Sequence, residues 1–491
     1  RLDYPDPDVI RVEDTYYMVS TTMHFMPGCE ILQSFDLVHW EHVTYVYETL
    51  DHTDAQQLKS GQNIYGQGMW AASLRYHEGR FYICFVANDT RKTYLYTSEK
   101  IDGPWKKQLI EGFYHDGSLL FDEDGRNYIV YGNDEIWITE LNEDLTAPKK
   151  DGLHRLLVSD HKNPELGYEG SHIQKINGYY YIFLIHSLRD RWMRTEACFY
   201  SDSLEGEFTG GDVLCDDRGY CGQGVAQGGI VDTPDGKWYA MLFQDSGAVG
   251  RIPILLPVTW KDHFPFFGQN GHVPEEIEVH STRPGYIYQP LVGSDDFCNG
   301  LLPRWQFNHD PDPRYYHLDA LQGTYTITTR EVCTELTQAV NTLTQRMSYP
   351  SCAAEVTVDA SALKEGDVAG LCALQSCYAA VGITKHHGKY EVLMLDKKED
   401  GILDMTEGTV VESHQMDFRL EADFCNMKDE ARCYYRVNKG DWLPIGTVHK
   451  LYFKLDHFTG CRFGLFCYAA EKTGGSACFR DFKYYDVDEI S

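Results

Sequence analysis

Five copies of one short pattern, a turn residue or two followed by an aromatic pair and an apolar run, organise the first half of this chain. They read Asp14-Thr15-Tyr16-Tyr17-Met18, Gly79-Arg80-Phe81-Tyr82-Ile83, Gly125-Arg126-Asn127-Tyr128-Ile129, Gly178-Tyr179-Tyr180-Tyr181-Ile182 and Gly236-Lys237-Trp238-Tyr239-Ala240. The tyrosines at 17, 82, 128, 181 and 239 lie 65, 46, 53 and 58 residues apart. A turn feeding a Tyr-rich strand at a period of roughly 40 to 60 residues is the signature of a β-propeller, so five units predict five blades.

The same repeat places a site. Twelve residues before Tyr82, Tyr128, Tyr181 and Tyr239 stand Trp70, Asp116, Glu169 and Gln227, and eleven before Tyr17 stands Asp6. Equivalent positions in equivalent blades lie at equivalent radii, so these side chains are expected to converge near the central axis. Three are carboxylates. Two carboxyl groups facing each other across a pocket can cleave an acetal: one protonated to expel the leaving oxygen, the other ionised to activate water or attack. Crowded in a partly dry channel they cannot all ionise, so one proton affinity rises. Asp8 shares the face of Asp6 two positions on and is its rival as base; register favours Asp6.

Composition narrows the partners. The 44 basic and 74 acidic residues leave a formal charge of −30, which repels phosphate backbones and anionic headgroups. Neither nucleic acid nor a membrane surface is expected as a partner; oligomerisation is left open. The 15 cysteines, scattered from Cys29 to Cys478 without CxxC pairs, read as buried free thiols of a reducing compartment. Cytoplasm is therefore expected, with secretion kept as the alternative because the chain starts at Arg1 rather than Met.

The repeats end before a change of character at Arg283-Pro284-Gly285 and Gly293-Ser294-Asp295-Asp296-Phe297. The expected domains are an all-β five-bladed propeller over 1–290 and a concanavalin-like β-sandwich over 295–491, where short alternating strands recur without helical periodicity. Two long connections, 45–66 and 201–224, interrupt the blades; the first leads into Trp70 and reads as a site wall.

At the ring the motifs resemble glycoside hydrolase family 43. Tyr4-Pro5-Asp6-Pro7-Asp8-Val9-Ile10 looks like its general-base segment, His115-Asp116-Gly117-Ser118-Leu119 its pKa-modulating segment, and Tyr168-Glu169-Gly170-Ser171-His172-Ile173 its general-acid segment. Met69-Trp70-Ala71-Ala72 is similar to the stretch whose tryptophan lines the sugar pocket. Phe25-Met26-Pro27-Gly28 resembles the first-blade segment, and Asp296-Phe297 with Arg304-Trp305-Gln306-Phe307 resembles the sandwich of the β-xylosidase and arabinofuranosidase branches.

The resemblance implies an inverting, exo-acting hydrolase releasing terminal xylose or arabinofuranose from neutral pentose oligosaccharides. Asp6 would be the base, Asp116 the modulator and Glu169 the acid, with Trp70, Phe25, Gln227, Gln244, Arg251 and His172 as substrate contacts. Gln227 stands where many members carry a histidine that helps hold a central calcium. That departure puts the metal in doubt, so no cofactor is established by the resemblance and a structural calcium in the propeller channel is left open. His24 and His115 are left without a role. Two alternatives stand beside this reading: a non-catalytic glycan-binding protein, and an endo-acting arabinanase or xylanase.

Overall fold

The computed structural model describes residues 1–486; positions 487–491, the end of the expected sandwich, lie outside the described residues. Four single 3₁₀ turns apart, regular structure among the described residues is all strand, and no helix is long and apolar enough to cross a membrane.

Each repeat is the hairpin between the first two strands of a blade. Ile10 faces Tyr17, Arg75 faces Tyr82, Leu120 faces Tyr128, Gln174 faces Tyr181 and Val231 faces Tyr239. The turns need left-handed backbone, which explains their composition: Gly79, Gly125, Gly178 and Gly236 have φ between 78° and 84°. Blade one makes its turn with Glu13 at φ 56° instead.

Five four-stranded antiparallel sheets result. Their innermost strands are Asp8–Val12, Ser73–His77, Ser118–Phe121, Glu169–Ile176 and Val225–Asp232. Among the described residues no strand is shared between the first and last blades, so the ring closes through side chains and a crossing N-terminal segment. Tyr4 donates its backbone N–H to the Arg251 carbonyl (3.1 Å), and Arg11 pairs with Asp232. Tyr4, Val9, Tyr16, Met18, Val231, Tyr239 and Met241 form the apolar seam at that junction.

The channel is plugged halfway. Arg75 reaches from blade two to Asp8 Oδ2 in blade one (2.8 Å), to Ser118 Oγ (2.7 Å) and the Leu119 carbonyl (2.9 Å) in blade three, and to the Ile173 carbonyl in blade four (3.2 Å). His172 Nδ1 meets the other oxygen of Asp8 at 3.0 Å. Below the plug a cavity of about 400 Å³ opens on the far face.

The second domain is a sandwich of a nine-stranded and a seven-stranded sheet. Leu371, Phe463 and Leu465 from the first and Val356, Phe418 and Phe479 from the second are fully buried in one core. Burying each such side chain contributes roughly 1.5–3 kcal/mol. The edge strand of the larger sheet, however, belongs to the propeller: Phe25 and Met26 pair with Asn308 and Phe307. Phe25 is therefore sealed inside the domain junction, with the Arg462 guanidinium 3.4 Å from its ring centroid, and does not line the sugar pocket as the sequence suggested.

Other contacts fasten the two domains. Buried Arg346 of the sandwich pairs with buried Glu30 of blade one at 2.9 Å. The connection 45–66 rests on the sandwich rather than over the ring: the Gln56 carbonyl accepts from Asp310 N, and Ile64 N donates to His309 Nε2. Within 201–224, Thr209–Leu214 is regular and forms the outer strand of blade four. Between the domains the chain is clasped to blade one by the Arg283–Asp14 pair and by Tyr286 packed on Phe35. All 15 cysteines are free thiols, but Cys215, Cys221, Cys298 and Cys425 are exposed, contrary to the expectation of a wholly buried set.

At the junction His24 of the propeller lies 4.8 Å and 5.1 Å, ring to ring, from His309 and His457 of the sandwich. Both His24 nitrogens, His309 Nδ1 and His457 Nε2 are buried without partners. Burial, reinforced by neighbouring imidazoles and Arg462, holds His24 and His309 well below the ordinary histidine range and pushes His457 down to about 3. Histidines kept neutral in the fold but free to charge when unfolded stabilise the protein above pH ~6.5, and that stability is lost as pH falls toward 3. His24→Phe is expected to lower the acid-unfolding midpoint by at least a few tenths of a pH unit, read by tryptophan fluorescence along a pH titration.

Candidate active site

Innermost strands begin, and second strands end, on one face of the propeller, and the ring residues gather there. Asp6, Asp116 and Gln227 share one backbone state, with φ of 53°, 47° and 62°, conformations that non-glycine residues seldom adopt outside functional sites. In blade four a bulge transfers this state to Gly170 (φ 65°), leaving Glu169 at the strand's start. A Cβ on Gly170 would lie 2.7 Å from the Gln227 side chain, so the close approach of blades four and five requires glycine there.

The three carboxylates are held differently. Asp6 is buried; one oxygen accepts from Thr21 Oγ1 at 2.5 Å and the other lies 3.2 Å from Arg251 Nη1. Asp116 is equally buried but accepts only the Gly170 N–H (2.9 Å) and faces His115 Nε2 at 3.4 Å. Burial, with the charges of Glu169 and Asp6 added and His115 opposing, pushes it up to about 6. Glu169 is partly exposed, and its Oε2 receives Asn133 Nδ2 at 2.7 Å and lies 3.3 Å from His115 Nε2. Burial works against the charge on His115, yet Asp116 and Glu169 outweigh it and hold the imidazole up at about 9.

Trp70 forms one wall. Its ring meets His115 edge-on at 6.0 Å and Phe458 of the sandwich at 5.5 Å. Phe458 also covers the Arg251 guanidinium (4.3 Å), and its carbonyl lies 3.4 Å from Arg251 Nη2. The accessory domain thus contributes a side chain to the rim of the ring.

Several expected substrate contacts are engaged elsewhere. Arg251 pairs with Asp6. Gln244 is buried, its amide fastened to the Asp217 and Gln223 carbonyls and to Arg218, so it secures the segment 215–224 instead of facing sugar. His172 lies one layer below the ring, bonded to Asp8. Gln227 stays at the ring, its N–H donated to Glu196 Oε2 (2.7 Å); burial drives that Glu196 carboxyl well above its ordinary range. Asp8 is unsuited to be a base: burial is outweighed by Arg75, His172 and the Leu74 N–H, which hold it below the usual carboxylate range. Those partners occupy both oxygens of Asp8, and the Arg75 guanidinium places a positive charge in the channel at that level.

Sequence reasoning missed Thr21, Asn133 and Phe458 and left His115 unassigned. Asn133 was findable, since it ends the second strand of blade three on the site face. Phe458, in the other domain, carries no repeat signal.

Residues 1–265 match the profile of Glycosyl hydrolases family 43. The chain belongs to that family. Residues 294–485 match the Beta xylosidase C-terminal Concanavalin A-like domain. A Beta-xylosidase of Formosa agariphila is 26% identical over 547 residues, covering 99% of this chain and 88% of that protein. A Xylosidase/arabinosidase of Butyrivibrio fibrisolvens is 23% identical over 99% of this chain and 98% of its own. The solved structure of a bifunctional GH43-CE protein of Bacteroides eggerthii superposes with a TM-score of 0.91 at 42% identity. It covers 99% of this chain, which spans only 63% of that longer protein.

This family-43 protein is a glycosidase. Phe458→Ala is expected to remove an aromatic contact worth about 1 kcal/mol and to raise KM several-fold with the fold intact, read by steady-state kinetics beside circular dichroism.

Proposed function

We propose that this glycosidase is exo-acting and inverting, releasing terminal β-D-xylose, α-L-arabinofuranose or both from xylan- or arabinan-derived oligosaccharides. The observation that carries the reading is the unequal support of its two outer carboxylates. Asp6 is buried and clamped by Arg251 and Thr21, whereas Glu169 is partly exposed and hydrogen-bonded by Asn133. Environments that treat two carboxyls so differently assign the base and the acid. Glu169 donates its proton to the glycosidic oxygen as the C–O bond breaks, and that bond's electrons go to the leaving oxygen. Asp6 takes a proton from water, which attacks the anomeric carbon from the opposite face. Asp116, fixed by Gly170 N–H, tunes the charge beside Glu169.

Inversion requires room for that water, a carboxyl separation of about 6.5–9.5 Å. Phe458 over Trp70 supports a pocket closed on one side, which favours chain ends over an open endo-acting groove. The names of the Formosa and Butyrivibrio relatives, and of a Bacteroides ovatus protein called a non-reducing end alpha-L-arabinofuranosidase, support the pentose choice. A glycan binder would gain nothing from burying Asp6 and Asp116, since taking carboxyl groups out of water costs stability that partners only partly offset.

Aryl β-D-xyloside and α-L-arabinofuranoside hydrolysis tests the sugar, and NMR of the first-formed anomer tests inversion. Glu169→Gln is expected to cut kcat/KM on disaccharides by about 10²–10⁴, with a smaller loss on nitrophenyl glycosides, whose leaving group needs little proton. Full turnover of disaccharides by that variant would overturn the assignment of the acid.

With Arg75 supplying the charge in the channel, no calcium is needed there. Exhaustive chelation is expected to leave both activity and Tm unchanged. A drop in Tm restored by calcium would contradict this.

A further inference from the structure

His115 is the histidine of the ring, and no step above uses it. Its Nε2 lies 3.3 Å from Glu169 Oε2 and 3.4 Å from Asp116 Oδ2, and one donor atom from each of the three residues falls within 4.8 Å of the others. Four-fifths of its side chain is covered. Trp70 closes one edge, and the His115 carbonyl is anchored by the Gly132 N–H at 3.0 Å. The charged groups around it are Asp116, Glu169 and Asp6, with Arg251 beyond Asp6 across the ring.

A nitrogen between two carboxylate oxygens cannot be bare, because the lone pairs would repel; a proton must lie on these short lines. With Nδ1 also protonated, a proton on Nε2 makes an imidazolium beside two carboxylates, and the same proton on Glu169 leaves a neutral Nδ1–H imidazole beside a carboxylic acid. Both forms carry the same net charge, so the pair titrates as a unit.

Resting on the reading of Glu169 as the acid, we propose that His115 is a positioning residue that acts through Glu169 as its proton reservoir: the resting site stores the catalytic proton on the imidazole and passes it to the carboxyl when substrate fills the pocket. Expelling water disfavours the separated charges of the imidazolium–carboxylate pair, which drives the transfer. The Nε2–H bond breaks and an O–H bond forms on Glu169. That proton then goes to the leaving oxygen, while Asp6 gains one from the attacking water. Afterwards neutral His115 takes a proton from solvent, Asp6 releases one, and the site is restored. The carboxylates that hold His115 up at about 9 are consistent with an imidazole loaded through neutral pH.

His115→Gln separates holding from storing, because glutamine offers an N–H at similar reach but does not titrate. On xylobiose or arabinobiose the alkaline limb of kcat/KM is expected to move down by about one pH unit or more. The variant should also lose about tenfold more on the disaccharide than on a dinitrophenyl glycoside, whose departure needs little proton. A wild-type pH profile in the variant would show that His115 only holds the carboxylates, and would overturn the proposal.

The second readout uses the native protein with ¹⁵N-labelled histidine. One imidazole should remain protonated above pH 8, and its signal should vanish in the variant. A His115 that titrates near 6.5, the ordinary value, refutes the reservoir. This titration needs no turnover, so it stands even if neither glycoside is cleaved and the pentosidase reading fails.

Discussion

The pair formed by Asp8 and Arg75 is the constraint on which the rest of the propeller depends. The five blades are separate sheets, and no backbone ladder joins the last to the first. One guanidinium instead bonds into blades one, three and four from its seat in blade two. Both members are nearly dry, so removing either would strand a charge, a loss of about 3–5 kcal/mol in comparable pairs. The plug also sets the height of the ring above it. Asp8 lies two residues past Asp6, Ser118 two past Asp116 and His172 three past Glu169. Fixing these lower residues in one network fixes the upper ones in one plane, and the left-handed backbone at Asp6 and Asp116 is tolerated because the strands beneath are pinned.

Above that plane, charge rather than shape differentiates the carboxylates. Each arrives by the same repeat, at the same end of an innermost strand. Arg251 and Thr21 clamp Asp6; burial with weak support raises Asp116; Asn133 and His115 attend Glu169. Thr21, Asn133 and Arg251 stand at the ends of second and third strands and His115 in the segment entering the first strand of blade three, positions whose residues differ between blades, so a symmetrical scaffold yields an asymmetric site.

The sandwich is part of the catalytic body rather than a tethered module. It borrows Phe25 and Met26 as an edge strand, buries Arg346 against Glu30, and returns Phe458 to the rim of the ring. An edge strand taken from another domain also covers backbone groups that would otherwise invite aggregation. The histidine cluster lies in this same junction, with His457 adjacent in sequence to Phe458 of the pocket wall.

The sequence by itself determined the number of blades, the hairpin of each and the ring of Asp6, Trp70, Asp116, Glu169 and Gln227. These are local facts: a hairpin is specified by its turn and by the alternation of its two strands, and repetition carries the same radius around the axis. Only the tertiary structure decided that Phe25 closes a domain junction, that Gln244 secures a segment of chain and His172 braces Asp8, and that Arg251 clamps Asp6. It alone brought Phe458 to Trp70 across 388 positions and set His115 between two carboxylates. The physical reason is one of range. A side chain's partner across blades or domains depends on how separate sheets pack, and packing between distant segments leaves no period in the sequence that encodes it.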